Sequence, residues 1–195
     1  VTTTAADGMA FDGEDIVGKD FGWKIDDGPC VTKCSAFMVN EVYAGVYQNC
    51  GKKDWWADKL PANVTIYPTI NELKNSDSKG YLIITDEVVD DNSLLQNAVV
   101  YRPPSLVVGI GLHWDTTKDT IKDGLMSCMN KFKLGEKSIV RFVSIKKEKD
   151  VVGLVELAKE MSIHIQYFEK EELASIATPN PSNTVQTFEG TPSVS

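Results

Sequence analysis

Two short segments of the sequence combine residue types that could hold an anionic ligand. Residues 109–117 begin with Gly-Ile-Gly and end in two threonines, and residues 146–149 read Lys-Lys-Glu-Lys. A tight glycine turn that leads into a helix leaves backbone N–H groups unpaired, and the helix dipole favours negative charge at that end. We therefore expect carboxylate or phosphate groups to be recognised here. The candidate binding residues in the two segments are Gly109, Gly111, His113, Thr116, Thr117, Lys146, Lys147 and Lys149.

Candidates for a catalytic role are fewer. His113 lies in the first segment and could act as a base or a cation near neutral pH, although an uninvolved loop histidine fits the sequence equally well. Asp115 and Asp86 could activate water, but carboxylates are common on protein surfaces. His164 alternates with isoleucines and is expected on the polar face of a strand.

The distribution of charge supports an anionic partner. The chain has 20 basic and 28 acidic residues, which gives a net charge of −8. Residues 131–149 nevertheless contain seven basic and two acidic side chains. A basic stretch in an acidic protein indicates a localised anionic ligand, with a solvated lysine-rich surface as the alternative. The overall acidity disfavours a nucleic-acid-binding protein, which needs a basic face.

Several other kinds of site are not supported. Trp114 stands where a third glycine would complete a dinucleotide-binding fingerprint, so the two glycines indicate a tight strand-to-helix turn. No Gly-x-Ser-x-Gly elbow is present, which disfavours a nucleophilic hydrolase. Cys30, Cys34 and Cys50 have no histidine nearby that could complete a metal site, so we predict none.

Composition also predicts where the protein is found. The longest apolar run, 106–112, is much shorter than the roughly 20 residues that span a bilayer, so we expect no membrane span. The four cysteines form no disulfide framework, and no segment is typical of a secretory signal. These features favour a reduced, cytoplasmic setting.

The second half of the chain alternates between strand and helix patterns. Apolar runs predict strands at 106–111, 139–145 and 163–168. Apolar residues at helical spacing predict helices at 121–132 and 151–161, and a short helix at 171–176. Such alternation predicts right-handed crossovers and a parallel sheet. The continuous run at 106–111 predicts a strand covered on both faces. Ligands bind beyond the carboxyl ends of parallel strands, so both candidate segments should share one rim.

The first half is expected to form a smaller α/β domain. Strands are predicted at 44–48, 64–67, 81–85 and 98–101, and helices at 11–21 and 35–40. Two prolines at 103–104 disfavour both helix and central strand and mark a domain boundary. The predicted fold class is α/β, with a small N-terminal α/β domain followed by a three-layer α/β/α domain with a mostly parallel sheet.

Taken in order, several weak motifs along the chain resemble one family. The motifs are 102–111 (Arg-Pro-Pro-Ser-Leu-Val-Val-Gly-Ile-Gly), 153–158 (Gly-Leu-Val-Glu-Leu-Ala), 168–173, 178–182 (Thr-Pro-Asn-Pro-Ser) and 190–194 (Gly-Thr-Pro-Ser-Val), together with 1–4, 44–48 and 82–86. The set resembles the CbiG family of cobalamin biosynthesis proteins, the cobalt-precorrin-5A hydrolases of the anaerobic pathway. The resemblance implies a middle-like domain at 1–101 and a C-terminal-like domain at 105–195 that is truncated at its last helix.

This resemblance implies a reaction and a partner. The reaction is the hydrolytic opening of the ring-A lactone of a cobalt-precorrin macrocycle, with release of acetaldehyde. Cobalt would belong to the substrate, so neither a cofactor nor a metal site of the protein is expected. The many carboxylates of the macrocycle would explain the basic rim, to which Ser182 is added as a helix-capping residue of a neighbouring loop. A homodimer, or contact with the family's N-terminal domain, is a further expectation.

Three positions depart from the family pattern. Leu112 stands where a cysteine is usual, and Glu148 and Val151 occupy the places of a lysine and a glutamate before Gly153. No catalytic residue is therefore carried over from the family. Two alternatives stay open: a tetrapyrrole-binding or carrier protein without hydrolytic activity, and a nucleotide-binding regulatory module suggested only by Gly-Ile-Gly.

Overall fold

The computed structural model describes residues 21–26, 42–54, 60 and 62–177. The chain divides into two compact units. The first consists of Val1–Ser105 with Lys133–Ser138, and the second of Leu106–Phe132 with Ile139–Ser195. The predicted helices at 11–21 and 35–40, and everything after residue 177, lie outside the described residues, apart from Phe21.

The first unit contains a five-stranded sheet. Its strands are β1 (Lys24–Ile25), β2 (Ala44–Gln48), β3 (Val64–Tyr67), β4 (Gly80–Ile84) and β5 (Ala98–Arg102). The order in the sheet is β1-β5-β4-β2-β3, with β2 to β5 parallel and β1 antiparallel to β5. Two short helices accompany it, α1 (Ile70–Lys74) and α2 (Asn92–Leu95). The four strands predicted in this half are confirmed to within one residue at each end.

Apolar side chains cover both faces of this sheet. One face packs Val46, Ile84 and Tyr101 with Trp23, and the other packs Ile83 and Val100 with Leu73 of α1 and Leu94 of α2. Neighbouring residues on β4 and β5 fall into opposite clusters because successive side chains of a strand point to opposite faces. Burial on both faces explains the nearly continuous apolar sequence of these strands.

The second unit contains a three-stranded parallel sheet. Its strands are β6 (Leu106–Gly109), β7 (Ile139–Ile145) and β8 (His164–Phe168), in the order β6-β7-β8. The helices are α3 (Lys118–Phe132), α4 (Val152–Met161) and α5 (Lys170–Ala174). Because the chain moves across the sheet in one direction, right-handed crossovers place α3 and α4 on the same face. The prediction of a mixed α/β fold with a mostly parallel sheet is confirmed.

One prediction for this unit is wrong. The apolar run at 106–111 predicted a strand covered on both faces. In β6, however, Val107 is 53% exposed and Gly109 is also exposed. Val107 pairs with Arg141 of the central strand β7, which is exposed as well, so both residues point to a face that the described helices leave open. In the described part of the chain, no helix has both the length and the apolar composition needed to cross a membrane.

Candidate functional site

A cavity of about 780 Å³ opens at the carboxyl edge of the second unit's sheet. Its walls come from the loop after β6, the loop after β7 and the first turns of α4. The lining residues are Trp114, Asp115, Thr116, Thr117, Lys118, Lys147, Glu148, Lys149, Asp150, Val152, Gly153 and Glu156. The two loops that the sequence placed on one rim therefore do meet, as parallel strands require.

Hydrogen bonds fix the first loop where it leaves β6. The N–H of Ile110 donates to the carbonyl of Val143 at 2.9 Å, and the Ser144 hydroxyl donates to the carbonyl of Ile110 at 2.7 Å. Further along, both the N–H and the hydroxyl of Thr116 donate to the carbonyl of His113. These bonds hold the loop in a defined turn before α3 begins.

Thr117 caps α3. Its hydroxyl oxygen accepts from the backbone N–H of Thr120 at 3.3 Å, which is the bond expected of an N-cap threonine. The capping bond occupies the hydroxyl, so what Thr117 presents to the cavity is mainly the start of the helix.

Gly153 allows the amino ends of α3 and α4 to approach closely. A Cβ atom at this position would lie 2.5 Å from the carbonyl oxygen of Thr116 and 2.6 Å from the nitrogen of Lys118. The N-cap of α4, Val151, makes no side-chain capping bond. Two helix amino ends thus meet at the cavity, and each brings the partial positive charge of its dipole.

The side-chain charges of the cavity are mixed. Lys147 and Lys149 line it, as the sequence predicted, but so do the carboxylates of Asp115, Glu148, Asp150 and Glu156. The sequence predicts a basic rim, and in the structure acidic side chains interleave with the lysines. The reason lies in the sequence of the second loop, where lysines and acids alternate.

Lys118, which also lines the cavity, forms an ion pair. Glu160 accepts from Lys118 at 2.7 Å and from Lys122 at 2.6 Å. These hydrogen bonds lower the pKa of Glu160 to about 2, and the bond to Glu160 raises the pKa of Lys118. The charge of Lys118 is therefore less available to a ligand.

His113 and Asp115 form a dyad beside the cavity, in which Asp115 lines the cavity and His113 does not. Their Nδ1 and Oδ1 atoms are 2.6 Å apart, and both side chains are well exposed. The hydrogen bond from His113 lowers the pKa of the Asp115 carboxyl group. A carboxylate that accepts from Nδ1 fixes the imidazole tautomer, which leaves Nε2 able to accept a proton.

Sequence reasoning missed the apolar wall. Trp114 is 71% exposed and Val152 is 66% exposed, and both line the cavity. The indole lies beside the imidazole of His113, with ring centroids 5.8 Å apart. In the sequence, Trp114 is informative only as the residue that replaces a third glycine. An aromatic residue directly after an anion-binding type of turn was the signal that could have identified it.

Other predicted site residues lie elsewhere. Gly109 and Gly111 are exposed but do not line the cavity. Lys146 forms an ion pair with Glu169, which raises the pKa of the lysine, and it too is absent from the cavity wall. Lys146 follows β7 directly, and alternation along the extended chain points it away from Lys147. Ser182 lies outside the described residues.

The basic stretch at 131–149 is not one surface. Lys133 pairs with Asp90 and Lys137 with Asp26, and both lysines belong to the first unit. Asp86 also lies in that unit, where its carboxylate accepts from the Ser105 hydroxyl at 2.6 Å. The chain passes through the first unit between α3 and β7, which charge counting along the sequence could not reveal.

The described residues contain no group of three or more side chains placed to hold a metal ion. Cys50 and Cys128 are free thiols. The other two cysteines of the sequence, Cys30 and Cys34, lie outside the described ranges.

The fold and the site together define an α/β protein with a small-molecule cavity beyond the carboxyl ends of its parallel strands. Comparison with known proteins narrows this class. Residues 14–103 match the family described as cobalamin biosynthesis central region, and residues 106–195 match cobalamin synthesis G C-terminus. The chain belongs to the CbiG family of cobalamin biosynthesis proteins and comprises its middle and C-terminal domains. The resemblance drawn from the sequence is confirmed.

One curated relative is the cobalt-precorrin-5A hydrolase of Priestia megaterium, which is 32% identical over 199 residues. The alignment covers 100% of this chain and 53% of the relative, so the chain spans about half the relative's length.

Two solved structures are similar at a lower level. CobE, a protein from the cobalamin biosynthetic pathway, has a TM-score of 0.41 and 18% identity, covering 45% of this chain and 63% of CobE. A putative cobalamin biosynthesis protein G homolog from Sulfolobus solfataricus has a TM-score of 0.38 and 16% identity, covering 91% of this chain and 49% of the homolog.

Proposed function

We propose that this chain is the middle and C-terminal part of a cobalt-precorrin-5A hydrolase and that its second unit holds the macrocycle at the described cavity. The observation that carries this proposal is the meeting of two helix amino ends with Lys147 and Lys149 at one cavity. Such an arrangement suits carboxylate groups. The named activity of the Priestia megaterium relative supports the reaction.

The reaction consumes one water molecule. Water adds to the carbonyl carbon of the ring-A lactone, and the acyl–oxygen bond breaks to give a carboxylic acid and a hydroxyl group. The carbon that bears this hydroxyl then leaves with its methyl group as acetaldehyde, and the electron pair of the broken carbon–carbon bond stays with the macrocycle and is protonated. Cobalt stays in the macrocycle, so the proposal requires no cofactor of the protein.

The cavity and the His113–Asp115 dyad beside it offer a group for each need of the hydrolytic step. His113, oriented by Asp115, would take a proton from the attacking water. The helix amino ends would stabilise the negative charge that develops on the lactone carbonyl oxygen. Lys147 and Lys149 would bind the peripheral carboxylates and so fix the orientation of the ring.

Glu148 changes the charge of this cavity relative to the family pattern. It stands where the family usually has a lysine, and it lines the cavity. Lysines on both sides of it keep positive charge within one residue of that place. We propose that Lys147 or Lys149 takes over the contact with a substrate carboxylate.

Acetaldehyde release tests the proposal. The full-length protein and this chain would be incubated with cobalt-precorrin-5A, and each would be compared with H113Q and H164Q variants. These are the only two histidines of the sequence, and both are exposed. We expect H113Q to lower kcat about 100-fold or more, because general bases typically contribute 10²–10⁴-fold, and H164Q to leave it unchanged.

Each outcome has a distinct meaning. Equal turnover by H113Q and the unmodified protein would remove His113 from the mechanism. Absence of acetaldehyde from the full-length protein would contradict the hydrolase assignment. Macrocycle binding without turnover at full length would instead establish the carrier function, which the exposed position of the dyad favours.

A further inference from the structure

We propose that Trp114 is a stacking platform for the conjugated face of the ligand and that it selects flat tetrapyrrole-type rings. This inference rests on the proposed function, because it names the cavity residue that contacts the ring itself rather than the carboxylates of the ring. The cavity has two kinds of wall, and only the charged one is explained by anion recognition.

The exposure of Trp114 has no structural explanation in the described residues of its unit. Its side chain is 71% exposed, whereas α3 packs through Ile121, Leu125 and Met129, which are all buried. Trp23 of the first unit shows the usual structural use of the residue, since it is 7% exposed within an apolar cluster. A large aromatic side chain left in water beside a cavity is typical of a ligand-binding surface.

A second apolar side chain extends the same wall. Val152, the first residue of α4, is 66% exposed and lines the cavity with Trp114. The two come from different elements, and Gly153 brings those elements together by allowing close backbone contact with Thr116 and Lys118. The backbone packing that joins the two helix ends therefore also builds an apolar strip beside them.

The neighbours of this strip define the chemistry of the ligand. Lys147 and Lys149 lie on the same cavity. A ring stacked on the indole would direct carboxylates on its edge towards such ammonium groups. Inorganic phosphate or a small carboxylic acid would gain little from the indole. The class that uses both walls is a flat, conjugated ring that carries several carboxylates.

The test measures binding of cobyrinic acid, a cobalt corrin with free carboxylate side chains, by calorimetry. The 195-residue chain would be compared with W114A, W114F and F132A variants. Phe132 is the matched control, because it is an aromatic residue of the same unit that is 59% exposed and does not line the cavity.

Losing one stacking partner costs about 1–3 kcal/mol, so we expect W114A to bind about 5- to 150-fold more weakly. W114F should bind within about 3-fold of the unmodified chain, because phenylalanine keeps an aromatic face. F132A should bind unchanged, and all variants should keep the melting temperature of the unmodified chain within about 2 °C, because surface substitutions are usually within ±0.5 kcal/mol.

The outcomes separate this inference from the function on which it rests. Unchanged affinity of W114A, with normal binding by the unmodified chain, would overturn stacking and leave the macrocycle site standing. Failure of the unmodified chain to bind cobyrinic acid would overturn both. Binding of ATP or FAD that depends on Trp114, without binding of the corrin, would also overturn both and assign the platform to a nucleotide.

Discussion

In the first unit, buried hydrogen bonds close the carboxyl edge of the sheet, whereas in the second unit the corresponding loops surround an open cavity. Arg102, at the end of β5, is 4% exposed. Its guanidinium group donates to Asp26 Oδ2 at 2.6 Å and to the carbonyl oxygens of Thr85 and Glu87 in the loop after β4. In the second unit, the loops after β6 and β7 instead line the cavity of about 780 Å³.

The smaller cavity of the first unit also differs from that of the second unit in how its charged groups are paired. It has a volume of about 250 Å³ and lies beside the ends of β2 and β4. Its lysines are already matched by acids, as Lys74 pairs with Asp91 and Lys133 with Asp90. In the second unit's cavity, Thr117 caps α3, but the N-cap residue of α4, Val151, makes no side-chain capping bond. The carboxyl edge of a parallel sheet can therefore serve stability or ligand binding. Which of the two it serves depends on whether the loops satisfy their own polar groups.

The largest effect should come from removing the group that closes the first unit. R102M leaves the buried carbonyl oxygen of Thr85, the partly buried one of Glu87 and the Asp26 carboxylate without their donor. Because Asp26 is 32% exposed, we expect a loss of about 3 kcal/mol of unfolding free energy, at the lower end of what breaking a buried pair costs. Urea denaturation measures it. R141M is the matched control, because Arg141 is the only other arginine and is exposed on β7. Equal destabilisation by the two variants would contradict the closing role of Arg102.

A smaller effect is expected where the second unit joins its two helix ends. G153A places a Cβ atom 2.5 Å from a backbone oxygen, and overpacking of this kind typically costs about 1–3 kcal/mol. The same change should weaken cobyrinic acid binding, because it separates the amino ends of α3 and α4. G124A is the control within α3, where nothing lies within 4 Å of the added atom, and alanine should stabilise the helix by about 0.5–1 kcal/mol. If G153A bound the corrin normally and kept its stability, the helix ends would not form the site.

These features differ in how far the sequence reveals them. Apolar periodicity predicted the strands and helices because burial sets that pattern, and the rule for parallel strands placed the loops around Thr117 and Lys147 on one rim. Contacts between residues distant in sequence decide three other features. These are the exposure of Trp114, the pairing of Lys118 with Glu160 and the membership of Lys133 in the first unit. Local pattern contains no information on such contacts, so only the structure supplies them.

The first unit should also show an alkaline transition at Cys50. Burial and, second, the nearby Asp86 carboxylate raise the pKa of the Cys50 thiol from 9.0 to about 11. The unfolded thiol loses its proton at lower pH than the folded one, so the contribution of Cys50 to stability is present below pH 9 and is lost as the pH rises from 9 to about 11. A chain with C30S, C34S and C128S isolates this thiol, and its alkylation rate should reach half its maximum near pH 11. Half-maximal alkylation near pH 9 would contradict the buried environment.

The smallest effect concerns a surface pair at the rim of the second unit's cavity. E160Q removes the carboxylate shared by Lys118 and Lys122, and exposed pairs contribute little to stability. Because the folded pKa of Glu160 is lowered to about 2, its small contribution is present at neutral pH and disappears as the pH falls from about 4.5 towards 2. E160Q should nevertheless bind cobyrinic acid up to about 3-fold more tightly, because it frees the charge of Lys118. Weaker corrin binding by E160Q in calorimetry would show that Lys118 does not face the ligand.

Two charge-reversed chains of equal net charge test most directly whether the cavity lysines bind the carboxylates of the macrocycle. K147E/K149E alters lysines that line the cavity of the second unit, whereas K131E/K170E alters exposed lysines of the same unit that do not line it. Cobyrinic acid affinity would be measured by calorimetry at several salt concentrations. We predict that K147E/K149E binds at least about 10-fold more weakly and loses most of its salt dependence, while K131E/K170E stays within about 2-fold of the unmodified chain. Equal weakening of both variants, or of neither, would contradict recognition of the macrocycle's carboxylates at this edge of the sheet.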